Sequence, residues 1–244
     1  MEQKTLLITR PIEQANITLQ TIEQAGYKGV LFPLLHYRPK PTPQLSALEI
    51  QQIQALLITS QQSLYSCLDK PALQQKPTYI VGEQTARLAK AEGFKHICGI
   101  VETGADLFQA VLAACQPKDG PILYISGKTI RVDLPTLLKT HGFEVIHHIA
   151  YHTIHVTSFS PAIKKAFQTH QIQGVLLLSP QTAHVFSTCI QRAGLGKNLE
   201  MVYVFCLSDA VAQPLACFKN AVVYTANEPN LASLMETINE TLRS

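Results

Sequence analysis

The sequence predicts an α/β protein with two parallel sheets, and three observations support that fold class. Short apolar runs alternate with amphipathic helical patterns along the whole chain, which is typical of parallel strands covered by helices. Ten such runs are present, and because open sheets usually contain fewer strands, two sheets of five are favoured. The same series of segments also occurs twice, once from residue 6 and again from residue 123.

The predicted strands are short and apolar, as strands buried on both faces usually are. In chain order they span residues 5–9, 29–32, 55–59, 78–82, 96–100, 122–126, 143–148, 174–179, 202–206 and 221–225. The first helical pattern ends at Gly26 and places an apolar stripe on one face, formed by Ile12, Ala15, Leu19 and Ile22. Helices are therefore predicted between the strands.

The internal repeat indicates how the strands divide between the sheets. Residues 6–39 parallel residues 123–154, and residues 56–68 parallel residues 176–190. In each long repeat an extended segment follows the second strand, and the first of these segments contains the stiff sequence KPTP. We expect the two segments to cross between lobes as a two-stranded antiparallel connector.

If both segments cross, the second domain is inserted into the first. The first lobe then contains residues 1–36 and 157–244, the second lobe residues 42–149, and the connectors residues 37–41 and 150–156. Each lobe would hold a five-stranded parallel sheet with flanking helices. Simple tandem domains are the alternative, because periodicity alone does not exclude them.

The composition limits both the compartment and the partners. Of 244 residues, 46% are hydrophobic and 15% charged, which is typical of a packed globular protein. No apolar run is long enough for a signal peptide or a membrane span, so we expect a cytoplasmic protein without a membrane partner. The six cysteines show no paired spacing and are expected to be buried free thiols. The net charge of +3 is scattered, which argues against nucleic acid and suits a small anionic ligand.

An ordered series of segments resembles one known family. The series contains LLITRP at 6–11, PLLHYRP at 33–39, LLITSQQS at 56–63, VGEQTARLAKAEGF at 81–94, ISGKTIRVDLPTLLKTHGFEV at 125–145 and IAYHTI at 149–154. It spans essentially the whole chain and is similar to uroporphyrinogen-III synthase, the ring-closing enzyme of tetrapyrrole biosynthesis. The resemblance implies two α/β lobes, a two-stranded antiparallel connector and an active site in the cleft.

The reaction that the resemblance implies needs few catalytic groups. The substrate, hydroxymethylbilane, is a linear tetrapyrrole rich in carboxylates. It loses water and closes with its last pyrrole ring inverted, giving uroporphyrinogen III in haem biosynthesis. The pyrroles supply the electrons, so the enzyme, a hydro-lyase, adds shape, fixed dipoles and one proton donor. The resemblance implies no cofactor, and we expect a monomer.

The candidate substrate-binding residues lie mostly in turns between strands and helices. Backbone N–H groups at such turns bind carboxylates, and open α/β sheets bind ligands at the carboxyl ends of their strands. The candidates are Arg10, Thr59, Ser60, Gly82, Thr85, Ser126, Gly127, Lys128, Arg131, Ser179 and Ser208. Helix capping is the alternative for the hydroxyl residues, and solvent exposure is the alternative for the cations. Residues 205–213 depart from the family's pattern, which leaves the role of Ser208 open.

Tyr151 is the candidate catalytic residue. It lies on the second predicted connector and matches the tyrosine of the family's Y-x-T motif. By that resemblance its phenol is expected to donate a proton to the departing hydroxyl group. The alternative is a tyrosine packed against the connector with its hydroxyl group in solvent.

The histidine-rich stretch HHIAYHTIH at 147–155 does not predict a metal site. Successive residues of a strand point to opposite faces, so these histidines cannot all converge, and no HExxH pattern is present. We therefore expect no metal. A second function, from a different class, is a non-catalytic bilobal binding or sensor protein for a small polyanionic ligand.

Overall fold

The computed structural model describes residues 3–41, 45–67 and 71–243. The start of the predicted second lobe at residue 42, the end of the KPTP segment and both chain ends lie outside these ranges. The described residues form helices and two sheets, one of five strands and one of six. The predicted α/β fold with two sheets is therefore confirmed.

The elements alternate as the periodicity predicts. The strands are β1 (Thr5–Ile8), β2 (Lys28–Leu31), β3 (Leu35–Pro39), β4 (Ala55–Ile58), β5 (Thr78–Val81), β6 (Ile97–Val101), β7 (Ile122–Gly127), β8 (Val145–His155), β9 (Gly174–Leu177), β10 (Tyr203–Cys206) and β11 (Val222–Thr225). The helices are α1 (Ile12–Gln24), α2 (Ala47–Gln52), α3 (Gln61–Tyr65), α4 (Glu83–Ala91), α5 (Gly104–Ala114), α6 (Leu134–Thr140), α7 (Pro161–Gln168), α8 (Pro180–Ala193), α9 (Asp209–Ala212) and α10 (Leu231–Arg243). As far as the structure describes them, none of these helices is long and apolar enough to cross a bilayer.

The chain divides into two compact units, each built mainly on one sheet. Unit 1 consists of Met1–His36 and Ile154–Ser244, and unit 2 consists of Tyr37–Thr153. The first sheet has the strand order β11-β10-β9-β1-β2, and the second has the order β3-β8-β7-β4-β5-β6. The chain passes from one unit to the other within β3 and again within β8.

The sheet of unit 1 is parallel throughout. Its inner strands β1 and β9 are almost wholly buried, because helices cover both faces, and this explains their runs of apolar residues. One face packs against α7 and α8 through the rings of Phe159, Phe167 and Phe186. The other face packs against α1 and α10, where Ile22 and Ile238 are fully buried.

The sheet of unit 2 contains five parallel strands and one antiparallel edge strand, β3. Val156 N–H donates to the Leu34 carbonyl (N···O 2.9 Å), and Lys40 N–H donates to the Ala150 carbonyl (2.7 Å). The predicted sheet of five thus gains a sixth strand, formed by the segment expected only as a connector. The reason is that β8 is 11 residues long but pairs with β7 only as far as Tyr151. Its remaining backbone groups need another partner.

The cysteines are free thiols, but they are not all buried as the sequence predicts. Cys67, Cys189 and Cys206 are buried, whereas Cys98 and Cys217 are exposed. Cys98 lies on the edge strand β6, whose residues alternate between partly buried and exposed positions. Strand position, rather than the apolar character of the neighbouring sequence, decides its exposure.

Gly174 lies at the start of β9, where the neighbouring strands leave no room for a methyl group. A Cβ atom there would lie 2.6 Å from Leu6 Cδ2 and 2.9 Å from Phe205 Cε2. Gly174→Ala is therefore expected to lower the free energy of unfolding by about 1–3 kcal/mol, because an overpacked core must shift. Chemical denaturation followed by circular dichroism measures this change.

Gly196→Ala is the matched control in the same unit. A Cβ atom at Gly196 would meet only the ring of Phe218, whose nearest atom, Cδ1, lies at an ordinary distance of 3.7 Å. Its expected effect on the free energy of unfolding is within about 1 kcal/mol. Equal losses for the two substitutions would contradict the packing explanation.

Candidate active site

A cavity of about 500 Å³ lies in unit 2 where the neighbouring strands β4 and β7 end. Its polar lining comes mainly from the turns that follow these strands and from β8, and includes Thr59, Ser60, Tyr124, Ser126, Gly127, Arg131 and Tyr151. Open α/β sheets bind ligands at the carboxyl ends of their strands. A larger cavity of about 780 Å³ in unit 1 is bordered by Thr5, Lys28 and Gln173 at the amino ends of strands. The cavity of unit 2 is therefore the candidate active site.

The turn after β4 gives Ser60 two roles at once. Its backbone is extended (φ −163°, ψ 157°), and its Oγ accepts a hydrogen bond from the Ser63 N–H (3.1 Å). Ser60 thus caps α3, which was the alternative role for this residue. The same Oγ also lies 3.1 Å from the Tyr151 hydroxyl oxygen. Capping fixes the Ser60 side chain in the cavity wall, so it supports a role in the site rather than replacing one.

Tyr151 contributes a half-buried phenol to the same wall. Burial raises the pKa of Tyr151, and the hydrogen bond with Ser60 opposes that rise. The phenol is consequently protonated at neutral pH and retains a proton to donate. Its ring packs edge-on against Tyr37, with centroids 5.3 Å apart, and its carbonyl accepts from the Lys128 N–H (2.9 Å). Ser60 and Tyr37 thus hold the side chain, and Lys128 holds the backbone.

Gly127 makes this position of the tyrosine possible. A Cβ atom at residue 127 would lie 2.6 Å from Tyr151 Cζ and 2.9 Å from its hydroxyl oxygen. Only glycine leaves room for the ring to lie across the end of β7. A register shift in the β7–β8 ladder at Ser126 and Gly127 accompanies this close approach, and such bulges commonly redirect a side chain.

A histidine behind the cavity wall was not among the predicted site residues. His147 is paired with Tyr124 across β8 and β7, and the two rings stack with centroids 4.9 Å apart. Its Nε2 lies 2.8 Å from the Ser126 Oγ. Burial lowers the pKa of His147, while the nearby Asp133 carboxylate acts in the opposite direction. The largely neutral imidazole therefore fixes the orientation of the Ser126 hydroxyl group that borders the cavity.

The cavity lining carries little charge. Among its described residues, Arg131 carries a positive charge and Glu102 carries a negative charge, and both side chains are exposed. The other polar groups are hydroxyl and backbone groups, which bind a ligand through dipoles. In residues 3–41, 45–67 and 71–243, no three or more His, Cys, Asp or Glu side chains are grouped so that they could hold a metal ion. The arrangement can hold an uncharged or anionic ligand and donate one proton.

Three other predicted residues of unit 2 lie near this site without bordering the cavity. Gly82 adopts φ 87° before α4, a conformation that favours glycine. Thr85 is buried in the first turn of that helix. Lys128 is exposed directly after β7. The cavity is bordered at this end of β5 by Val81 instead.

The remaining three predicted residues lie in unit 1. Arg10 donates hydrogen bonds to Gln14 Oε1 (2.8 Å) and Thr18 Oγ1 (3.2 Å) on α1. Ser179 caps α8, since its Oγ accepts from the Thr182 N–H (3.1 Å). Ser208 precedes the four-residue helix α9 and makes no side-chain capping bond.

The fold and the site together define an α/β protein with a hydroxyl-lined cavity at the carboxyl ends of parallel strands. The family model for Uroporphyrinogen-III synthase HemD matches residues 18–236. Because this match covers most of the sequence, the chain belongs to the uroporphyrinogen-III synthase family. The resemblance drawn from the sequence is confirmed, and the activity is that of a cyclising lyase in tetrapyrrole and haem biosynthesis.

Solved structures share the fold. A mutant uroporphyrinogen III synthase from the extremely thermophilic bacterium Thermus thermophilus is 14% identical, with a TM-score of 0.61 over 98% of this chain and 99% of that chain. The uroporphyrinogen-III synthetase from Helicobacter pylori is 18% identical, with a TM-score of 0.61 over 98% of this chain and 100% of that chain. None of the curated proteins matches the sequence at a significant level.

Gly127→Ala tests the close approach of β7 to Tyr151. The added methyl group would occupy the space of the phenol ring, so the ring must leave the Ser60 hydroxyl group and become more exposed. The pKa of Tyr151 is then expected to fall toward that of a free tyrosine, because burial is the main cause of its elevation. NMR titration of ring-labelled tyrosine measures the change, with Tyr151→Phe identifying the signal. An unchanged Tyr151 pKa in this variant would contradict the steric explanation.

Proposed function

We propose that hydroxymethylbilane loses water and closes at the cavity of unit 2, and that Tyr151 is the proton donor. Family membership supplies the reaction, whereas the location and the donor are proposals. The main support is the position of the Tyr151 hydroxyl group, which borders the cavity and lies 3.1 Å from the Ser60 Oγ. A general acid must be within hydrogen-bonding reach of the departing oxygen.

The proposed step moves one proton and one hydroxyl group. Tyr151 donates its proton to the oxygen of the terminal hydroxymethyl group as the C–O bond breaks, and the oxygen leaves as water. The nitrogen lone pair of the adjoining pyrrole forms the new double bond. The resulting phenolate takes up the N–H proton of that pyrrole, which restores Tyr151 and leaves a neutral azafulvene. The last pyrrole ring then attacks the azafulvene carbon, and the azafulvene nitrogen regains a proton as the attacking ring loses one.

The acidity of a buried tyrosine suits this step. Hydroxide is a poor leaving group, because its conjugate acid, water, is a very weak acid. A phenol is a far stronger acid even when burial raises its pKa. Proton transfer is therefore favourable once the C–O bond stretches, although the phenol stays protonated in the resting enzyme.

The proposed substrate contacts are hydroxyl groups, backbone N–H groups and a few cations. Those that border the cavity are Thr59, Ser60, Ser126, Gly127 and Arg131. Further contacts are proposed for Gly82, Thr85 and Lys128 of unit 2 and for Arg10, Ser179 and Ser208 of unit 1. Many weak contacts suit a substrate with many carboxylates, because no single bond then carries most of the affinity.

The proposal includes a two-lobed enzyme. Residues 1–36 and 157–244 form one lobe, residues 42–149 the other, and residues 37–41 and 150–156 the antiparallel connector. The hydrogen bonds between β3 and β8 support the connector. A monomeric state and a cytoplasmic location are part of the same proposal. A non-catalytic binding or sensor protein is not favoured, because the family consists of cyclising lyases.

Tyr151→Phe removes the proposed donor and keeps the ring. Turnover of hydroxymethylbilane is expected to fall at least about tenfold, since general acids contribute on the order of 10²–10⁴-fold. Binding of the oxidised product should change little. Rate and the ratio of isomers III and I are measured together, because uncatalysed closure yields isomer I.

Tyr37→Phe is the matched control for this substitution. Tyr37 contacts Tyr151 edge-on through its ring, and the phenylalanine keeps that contact. A near-normal rate is therefore expected. A normal rate and isomer ratio for Tyr151→Phe would exclude Tyr151 as the donor and leave catalysis to enclosure and fixed dipoles.

Arg131→Gln tests whether the cation at the cavity binds a carboxylate. Loss of one charged hydrogen bond of about 1.5 kcal/mol corresponds to an affinity for the oxidised product that is about tenfold lower. Arg87→Gln is the control, because Arg87 is exposed on α4 and pairs with Glu83. Fluorescence titration measures both. Equal affinities for the two variants would contradict a direct contact.

A further inference from the structure

A group of cations surrounds one histidine on the β3–β8 ribbon of unit 2. The pairing of Leu34 with Val156 and of Lys40 with Ala150 fixes the antiparallel register, which places Arg38 directly opposite His152. Lys40 lies two residues further along the same strand. The Lys128 N–H donates to the carbonyl of Tyr151, the residue before His152. Arg38, Lys40 and Lys128 thus approach His152 from β3 and from the end of β7.

The second feature of this group is a buried ring nitrogen of His152. Its Nε2 is shielded from solvent, and no hydrogen-bond partner for it occurs among the residues that the structure describes. Burial lowers the pKa of His152, and the charges of Lys40, Lys128 and Arg38 lower it further. A buried nitrogen without a partner is costly, so a group that binds at this position gains a ready hydrogen bond.

No carboxylate of the described residues lies within 4.0 Å of the cations around His152. Arg87 with Glu83 is the ion pair found in the described ranges 3–41, 45–67 and 71–243. Arg38, Lys40 and Lys128 are exposed and repel one another when they are brought together. Arginine and lysine form strong, charge-assisted hydrogen bonds with carboxylates. The cations, their position around His152 and its nitrogen without a partner among the described residues all indicate an anionic ligand.

We propose that Arg38, Lys40, Lys128 and His152 form a carboxylate-binding site, and that His152 takes up a proton as the carboxylate binds. The site is separate from the hydroxyl-lined cavity, because Tyr151 and His152 are consecutive on β8 and leave the strand in different directions. Identification of the carboxylate as a side chain of the tetrapyrrole rests on the proposed function. The site recognises a carboxylate group, whether that group belongs to the tetrapyrrole or to another molecule.

The proposal has a definite pH dependence. The cations disfavour the charged form of His152 in the free protein, whereas a bound carboxylate favours it. Binding therefore raises the His152 pKa, and by linkage the affinity increases as pH falls from the pKa of the complex to that of the free protein. The affinity for a carboxylate ligand should rise about tenfold between pH 8 and pH 6 if the histidine and carboxylate contact each other directly.

The test is an NMR titration of the His152 ring, with and without probe, in the full chain. The probes are oxidised uroporphyrin III, citrate and inorganic phosphate. The tetrapyrrole or citrate is expected to raise the His152 pKa. A response to the tetrapyrrole alone indicates its own side-chain carboxylate, and a response also to citrate indicates a site open to free carboxylates. No response to either carboxylate, or an equal response to phosphate, overturns the proposal.

Substitutions separate this site from the cavity. The double variant Lys40→Gln with Lys128→Gln should raise the His152 pKa in the free protein and weaken the response to the probe. His152→Gln should remove the tenfold pH dependence of affinity. Lys118→Gln, an exposed lysine elsewhere in unit 2, is the control and should behave as the unmodified chain. An unaltered probe response in the double variant would overturn the proposal.

The two proposals fail in different ways. A normal rate for Tyr151→Phe would remove the proposed proton donor but would leave the His152 titration unchanged. An unresponsive His152 would remove the carboxylate site but would leave the effect of Tyr151→Phe on turnover intact.

Discussion

The arrangement of unit 2 depends on the backbone pairing of strand β8, which bonds to a different strand on each side. One side pairs with β7 in parallel, and the other pairs with the antiparallel edge strand β3. A register shift near Ala150 sets the direction in which Tyr151 leaves the strand. This ladder determines the position of His147 behind the cavity, of the Tyr151 phenol in the cavity wall and of the cations beside it.

Sequence periodicity predicted every described strand except β3, and it predicted part of the candidate site. The predicted strand 55–59 is β4 at Ala55–Ile58, and the turn residues Thr59, Ser60, Ser126 and Gly127 meet in one cavity because β4 and β7 are neighbours. Periodicity locates the end of a strand but not its partner. For that reason it missed the pairing of His147 with Tyr124, and it predicted the β3 segment only as an antiparallel connector and not as the sixth strand of the sheet. Both features depend on register between distant segments.

At the proposed site, a lining of hydroxyl groups has a chemical advantage for the cyclisation. An azafulvene is an electrophile that a well-placed carboxylate or thiolate would attack. Serine, threonine and tyrosine hydroxyl groups are weak nucleophiles when protonated, and burial keeps the Tyr151 phenol in that form. The carboxylate of Glu102 is exposed, and no cysteine is among the described lining residues. A site with this lining can hold a reactive intermediate without bonding to it.

The position of β1 between β2 and β9 has a consequence for synthesis of the chain on the ribosome. Unit 2 is one continuous stretch of the chain. In contrast, β1 cannot complete its pairing until β9, which begins at Gly174, has been synthesised. At about 5–20 residues per second, translation leaves an interval of roughly ten to thirty seconds. During that time the apolar run from Leu6 to Ile8, fully buried in the finished sheet, has one flank unpaired. Molecular chaperones that bind nascent apolar segments would have a target in this run during that interval.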